Sequence, residues 1–205
     1  MSYLLDGPES APLTLALAHG AGAPMDTAFM DAVARSLGER GWRVARFEFP
    51  YMVRRREDGK KRPPDRQPVL LDTWRAVIEE LGPERLVIGG KSMGGRMASL
   101  VADEAGVAGL VCLGYPFHPP GKPERTRIDH LGALATPALI VQGTRDPFGK
   151  PEEVAGYPLS PAIQVHWTED GNHDLAPRKR SGRTAEQNLA EAVAAVDAFL
   201  RARLC

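Results

Sequence analysis

The sequence predicts an α/β protein built on a mainly parallel sheet of about six strands, with helices on both faces. Short apolar runs alternate along the chain with longer segments of helical periodicity. Several of those runs are apolar throughout, as strands buried on both faces must be. A third observation locates the centre of the sheet. Leu86-Val87-Ile88 runs into Gly90-Lys91-Ser92-Met93-Gly94, a G-x-S-x-G turn, and then into a segment where Met97, Leu100 and Val101 recur at helical spacing.

Taken in order, Leu13 to Ala18 is the first strand, followed by the small-residue loop His19 to Pro24. Asp26 or Thr27 can cap a helix to about Arg40, with Phe29, Met30, Val33 and Leu37 on its apolar face and Gly41 after it. Trp42 to Phe49 is the second strand, ended by Pro50. Residues 54–68 are polar and interrupted by proline, and are expected to be structureless. Val69 to Leu81 reads as a helix burying Leu70, Trp74, Val77, Ile78 and Leu81, and Gly82-Pro83 stops it. After the central strand and helix, Val107 to Leu113 is a strand leading into a long loop through Tyr115 and Phe117. Ala138 to Gln142 and Ala162 to Trp167 are the last two strands, and a helix from about Thr184 to Arg203 closes the chain. With no repeat and no internal linker, residues 1–205 read as a single domain.

Composition narrows the function classes. Formal net charge is zero, so no global field favours nucleic acid or a membrane surface. No apolar run is long enough to span a bilayer, and the first residues lack the basic start and apolar stretch of a secretion signal. Cys112 lies in an apolar strand and Cys205 is the last residue, which is neither a disulfide framework nor a prenylation box. These features fit a cytoplasmic protein.

The chemistry collects beyond the carboxyl ends of strands, where open α/β sheets hold their sites. A sharp turn at Ser92 would hold its hydroxyl up at the top of the sheet, with the Met93 N–H at a helix N-terminus, where negative charge is favoured. The Gly-Lys-Ser triplet is not a phosphate-binding P-loop, because the position that needs the motif's first glycine is Arg85. Asp146 stands four residues after the fifth strand and His173 six after the last. A serine hydroxyl needs a base to become nucleophilic; His173 can take and return that proton near neutral pH, and Asp146 can orient the imidazole. The Met93 N–H, together with one from Gly20 or Ala21, would hold an oxyanion. Asp170 is the rival acid, and Asp174 reads as a cap. His118 and His130 are candidates for substrate contact, His166 sits inside a strand, and His19 is expected to brace its own loop. Histidines so scattered give no metal-binding pattern, and the chemistry calls for no cofactor.

These residues resemble a known family. The segments His19–Ala23, Phe49–Met52, Gly89–Arg96, Gly114–Pro123, Gln142–Phe148 and Gly171–Asp174 are similar to the small α/β-hydrolases of the dienelactone-hydrolase-like type. More narrowly, they resemble the branch that includes testis-expressed protein 30 and the hydrolase-like domain of the third non-specific-lethal complex subunit. The resemblance implies an α/β-hydrolase fold without a lid domain, beginning at what is usually its third strand, with Ser92, Asp146 and His173 as a triad. Dienelactone hydrolases themselves carry a cysteine at the elbow where this chain has Ser92, so their substrate does not carry over.

The expectation is a serine hydrolase acting on a small carboxylic ester or thioester, a carboxylesterase-like activity. Its alternatives are a small peptidase or amidase on the same residues, or a non-catalytic scaffold for protein interaction. Lys91 flanks the elbow, and Tyr51, Met52, Tyr115 and Phe117 on the two long loops are the candidate substrate-binding residues. Residues 54–66 hold seven basic groups against three acids, and Arg178-Lys179-Arg180 with Arg183 follows His173. Such a rim could attract an anionic substrate or could be paired within the surface. No nucleic-acid-binding motif accompanies it.

Overall fold

The alternating apolar runs assemble into one sheet of seven strands in this computed structural model, which describes residues 1–203. The reading of Cys205 lies outside the described residues. The strands are β1 (Leu4–Asp6), β2 (Thr14–Ala18), β3 (Arg43–Phe47), β4 (Leu86–Lys91), β5 (Gly109–Leu113), β6 (Ala138–Gly143) and β7 (Ile163–Thr168), in the spatial order β1-β3-β2-β4-β5-β6-β7. All neighbours are parallel except β1, which runs antiparallel to β3 at the edge. The chain therefore carries one strand more than the sequence pattern foretold, ahead of its expected start. β1 is three residues long and largely exposed, so it leaves no apolar alternation to read. Arg46 fixes it from within, its guanidinium 2.9 Å from Asp6 and also paired with Asp31.

Among the described residues seven α-helices connect or cover the strands: α1 (Ala28–Glu39), α2 (Pro50–Asp58), α3 (Gln67–Leu81), α4 (Met93–Ser99), α5 (Ala102–Ala105), α6 (Pro151–Val154) and α7 (Ala185–Arg201). The period of two divides each strand between two cores. Leu15, Leu17 and Val87 face one side, packed with Leu37 of α1 and Val196 and Leu200 of α7. Ala16, Ala18 and Ile88 face the other, with Trp74 of α3 and Met97 of α4. The Trp74 ring meets Phe47 edge-on at 4.7 Å. Thr27 caps α1, accepting from Met30 N at 3.3 Å, and Thr184 and Gln187 close a capping box at the start of α7. None of the described helices is long and apolar enough to cross a membrane.

Residues 54–58 correct the expectation of a structureless loop, for they belong to α2. Pro50 occupies the first turn, where its missing N–H costs nothing, and Gly59 ends the helix at φ 69°. Its polarity concealed it. The helix is anchored by Tyr51 and Met52 in its first turn and by ion pairs of Arg56 with Glu48 and Asp26 thereafter. The helix after Ser92 also breaks at Leu100 and Val101, before α5 resumes.

Candidate active site

β4 is the middle strand, paired with β2 through Ala18 and Gly90 and with β5 through Lys91 and Leu113. Its last turn brings the chain into α4 within a few residues, and Ser92 sits at the bend with φ 51° and ψ −114°. A non-glycine residue held there stores roughly 1–3 kcal/mol of backbone strain, which its surroundings must offset. They do so by close approach. A Cβ at Gly94 would stand 2.5 Å from the Ala18 carbonyl oxygen and 2.6 Å from that of His19, so β2 and α4 could not meet over any larger residue. The Trp74 indole N–H reaches the Gly94 carbonyl at 3.3 Å and fastens α3 to the same turn.

The loops after β6 and β7 are joined to each other. Arg145 N donates to Gly171 O at 2.8 Å and Thr144 N to Thr168 O at 3.0 Å. This brings Asp146 against His173. The imidazole Nδ1–H donates to Asp146 Oδ2 at 2.8 Å. Asp146 is fully buried, and two further donors compensate its charge: Gln142 Nε2 at 3.0 Å on Oδ2 and Phe148 N at 2.9 Å on Oδ1. The Phe148 ring lies on the imidazole, with centroids 4.3 Å apart. Asn172 shapes the His173 loop by accepting from Asp174 N at 2.9 Å and Ala176 N at 3.0 Å.

Ser92 and His173 open onto one cavity of about 500 Å³. Its other walls are the loop Gly20–Pro24, the first turn of α1 with Phe29, and Phe148, Lys91 and Asp174. Among the described residues Ser92 Oγ makes no hydrogen bond, and the imidazole reaches Asp146 alone on its Nδ1 side. Hydrogen bonds of this kind are often long before a substrate is bound.

The glycine-rich loop after β2 is held from beneath. Phe49 N donates to His19 Nε2 at 3.1 Å, which leaves the proton on Nδ1, and Nδ1–H donates to Gly20 O at 2.7 Å. Burial pushes the His19 pKa below its ordinary value, in keeping with a neutral ring. Tyr51 OH donates to Ala21 O at 2.9 Å. Across planar trans peptides the Ala21 and Gly22 N–H groups stand anti to those bound carbonyls, so they face away from Tyr51. Among the described residues neither the Ala21 nor the Met93 N–H has an internal acceptor.

Several expected residues stand elsewhere. Tyr51, Met52, Tyr115 and Phe117 are buried in the core and line no part of the cavity, which corrects their assignment to substrate. All four pack into the core on the α3–α4 side of the sheet. Tyr115 OH ends on Arg127 O at 3.0 Å, inside the protein. Lys91 does line the cavity. Its Nζ donates to the His173 carbonyl at 2.5 Å and lies 3.3 Å from Asp174 Oδ1, and burial lowers its pKa against the pull of Asp174 and Asp146. Asp174 is thus a wall residue rather than a cap. The rival acid Asp170 faces away: Arg178, then Arg145, hold it, and its pKa falls to about 2. His118 is buried against Pro119 O and Glu153, and His130 bonds Ser99. Phe29 and Phe148, which do line the cavity, were missed. Phe148 carried a signal, lying two residues beyond Asp146 in its turn.

Residues 11–201 match the family described as alpha/beta hydrolase domain. The chain belongs to that family. Among solved structures, this alpha/beta hydrolase is similar to a Xanthomonas campestris protein described as an a/b serine hydrolase without a lid. The two are 22% identical over 96% of this chain and 86% of that one, with a TM-score of 0.71. It is also similar to the ferulic acid-bound Est1E of Butyrivibrio proteoclasticus, 18% identical over 99% of this chain and 95% of that one, with a TM-score of 0.70. A thermophilic esterase from Thermogutta terrifontis, with malate bound, is 20% identical over 98% of this chain and 93% of that one, with a TM-score of 0.69. At these identities the likeness is one of fold.

Proposed function

We propose that this alpha/beta hydrolase is a serine hydrolase that cleaves a small carboxylic ester or thioester through an acyl-serine intermediate. The observation that carries the reading is the hydrogen-bonded pair His173–Asp146, which shares a cavity with a serine on a strained turn. In the first half-reaction Ser92 Oγ attacks the carbonyl carbon while His173 Nε2 takes its proton. Asp146 fixes the proton on Nδ1 and stabilises the imidazolium, and Met93 N–H with Ala21 N–H receives the oxyanion. The leaving alcohol or thiol departs with the proton from Nε2. Water, deprotonated by the same nitrogen, then releases the acid from Ser92.

The cavity favours a small, partly apolar substrate. Phe29 and Phe148 offer aromatic walls, and a volume of about 500 Å³ holds a compact ester. The basic rim gives an anionic substrate little support. Arg54, Arg56, Arg62, Arg178 and Arg183 are paired with carboxylates and Arg55 donates to the Gly22 carbonyl, and among the described residues Lys91 is the one cation that lines the cavity, itself engaged by Asp174. The narrower resemblance to the testis-expressed protein 30 branch rests on the sequence motifs alone and brings no substrate with it.

Labelling with a fluorophosphonate probe tests the reading. Wild type is expected to label covalently, with labelling lost in Ser92→Ala and His173→Ala. A folded wild type that stays unlabelled, and turns over no short ester, would replace this reading with the non-catalytic scaffold.

A further inference from the structure

The residue before Ser92 reaches across to the loop that carries His173. Lys91 ends β4, and its Nζ donates to the His173 carbonyl at 2.5 Å. Among the described residues the His173 main chain has no other hold, for its N–H donates to no acceptor and its carbonyl accepts from Lys91 alone. Asp146 and Phe148 fix the ring, but both stand in the loop after β6. The Lys91 bond is what ties the histidine loop to the strand that carries the nucleophile.

The surroundings are built to admit this bond. Gly114, just past β5, has φ 71°. A Cβ there would stand 2.9 Å from the His173 carbonyl oxygen and 3.1 Å from Lys91 Nζ, so a side chain would press on both partners. Lys91 itself is buried, and removing an ammonium from water is costly unless partners compensate it. Asp174 Oδ1 lies 3.3 Å from Nζ, and the Phe29 ring faces it with a centroid 5.7 Å away. An apolar side chain of similar length would fill the same space without that cost, but it would leave the His173 carbonyl without a donor.

We propose that Lys91 is a positioning residue for the hydrolase reaction, its ammonium holding the His173 main chain so that the imidazole keeps its place between Asp146 and Ser92. The proposal rests on the serine hydrolase reading of this site. Because Lys91 and Ser92 are consecutive, any shift at the end of β4 moves the nucleophile and the anchor of its base together. General-base catalysis depends on that register, since a displacement of about 1 Å can cost on the order of 10²-fold in rate.

Kinetics on 4-nitrophenyl acetate and proton NMR of the full chain test this together. Lys91→Met, close in length and uncharged, is expected to lower kcat by roughly 10- to 100-fold with KM within about twofold. The downfield proton of His173 Nδ1–H, sharp in wild type, should broaden or vanish in the same variant. Lys91→Cys should behave likewise, and alkylation with 2-bromoethylamine, which rebuilds an ammonium of matching reach, should restore both kcat and the resonance. That rescue separates lost positioning from a misfolded variant. A Lys91→Met protein with wild-type kcat and a sharp proton overturns the proposal and leaves the hydrolase reading standing. So does a variant that changes KM alone, which would make Lys91 a substrate contact. If wild type turns over no ester but its proton is sharp and is lost in Lys91→Met, the hydrolase reading fails while the hold on His173 stands.

Discussion

Two sets of apolar side chains follow the strand ends of this molecule, and they meet opposite fates. Tyr51, Met52, Tyr115 and Phe117 are buried beneath the loops, whereas Phe29 and Phe148 face the cavity. The difference is not hydrophobicity. Tyr51 stands four residues after β3, in the first turn of α2, and Tyr115 two after β5. Their rings drop back onto the core and their hydroxyls stop on backbone carbonyls at 2.9 and 3.0 Å. Phe29 sits on the first turn of α1 and Phe148 inside a turn fixed by Asp146, and both rings line the cavity. Wall and support are separate layers. The buried layer places the loop N–H groups, and the exposed layer meets the substrate.

The largest break comes from the proposed chemical groups that both layers serve. Asp146→Asn preserves the shape of the buried site but can present an N–H to His173 Nδ1, which favours the wrong tautomer. It is expected to lower kcat by roughly 10⁴-fold with the fold intact. A loss below tenfold in ester turnover by a folded variant would show that Asp146 only supports structure.

Much of this was legible in the sequence because strand ends leave marks there. A strand, then glycines, then a helix can place Ser92 only at a sharp turn, and Asp146 and His173 each follow an apolar strand by a few residues. The strand–helix alternation fixed the fold class for the same reason. What stayed hidden had no periodicity to show. β1 is three residues long, and α2 is held by charge pairs that read as a solvated loop. The cavity wall was misassigned because an aromatic after a strand looks alike whether it turns in or out. That direction is set by backbone geometry and by acceptors distant in sequence, such as Ala21 O for Tyr51 and Arg127 O for Tyr115.

A matched pair of variants sharpens the distinction between layers. Phe29→Ala removes apolar contact worth about 1–3 kcal/mol of substrate binding and should raise KM on the order of tenfold, with kcat little changed. Tyr51→Phe removes the hydroxyl beneath Ala21 at a cost of about 1 kcal/mol in stability. It should lower kcat several-fold at constant KM, since the loop N–H groups drift from the oxyanion they would receive. Steady-state kinetics on one neutral ester series reads both. If Tyr51→Phe shifted KM and Phe29→Ala shifted kcat, the two layers would have to be exchanged.

The smallest effect belongs to His19, which lies under the same loop with its ring 5.6 Å from that of Tyr51. The folded state holds it neutral, because burial lowers its pKa and Nε2 is occupied by the Phe49 N–H. The unfolded chain takes up a proton near the ordinary histidine value of about 6.5, and the folded chain does not until lower pH. The unfolded state therefore binds more protons in that window, and stability falls as pH drops below it. His130, also shifted downward by burial, contributes in the same direction. Thermal melts between pH 7.5 and 5 should show a falling Tm in wild type, a shallower fall in His130→Gln and a shallower one again in His19→Gln. The His19 variant starts from a lower Tm, since the Phe49 N–H loses its acceptor. Parallel slopes in all three proteins would mean that acid acts on other groups, and that the support beneath the loop does not depend on a neutral imidazole.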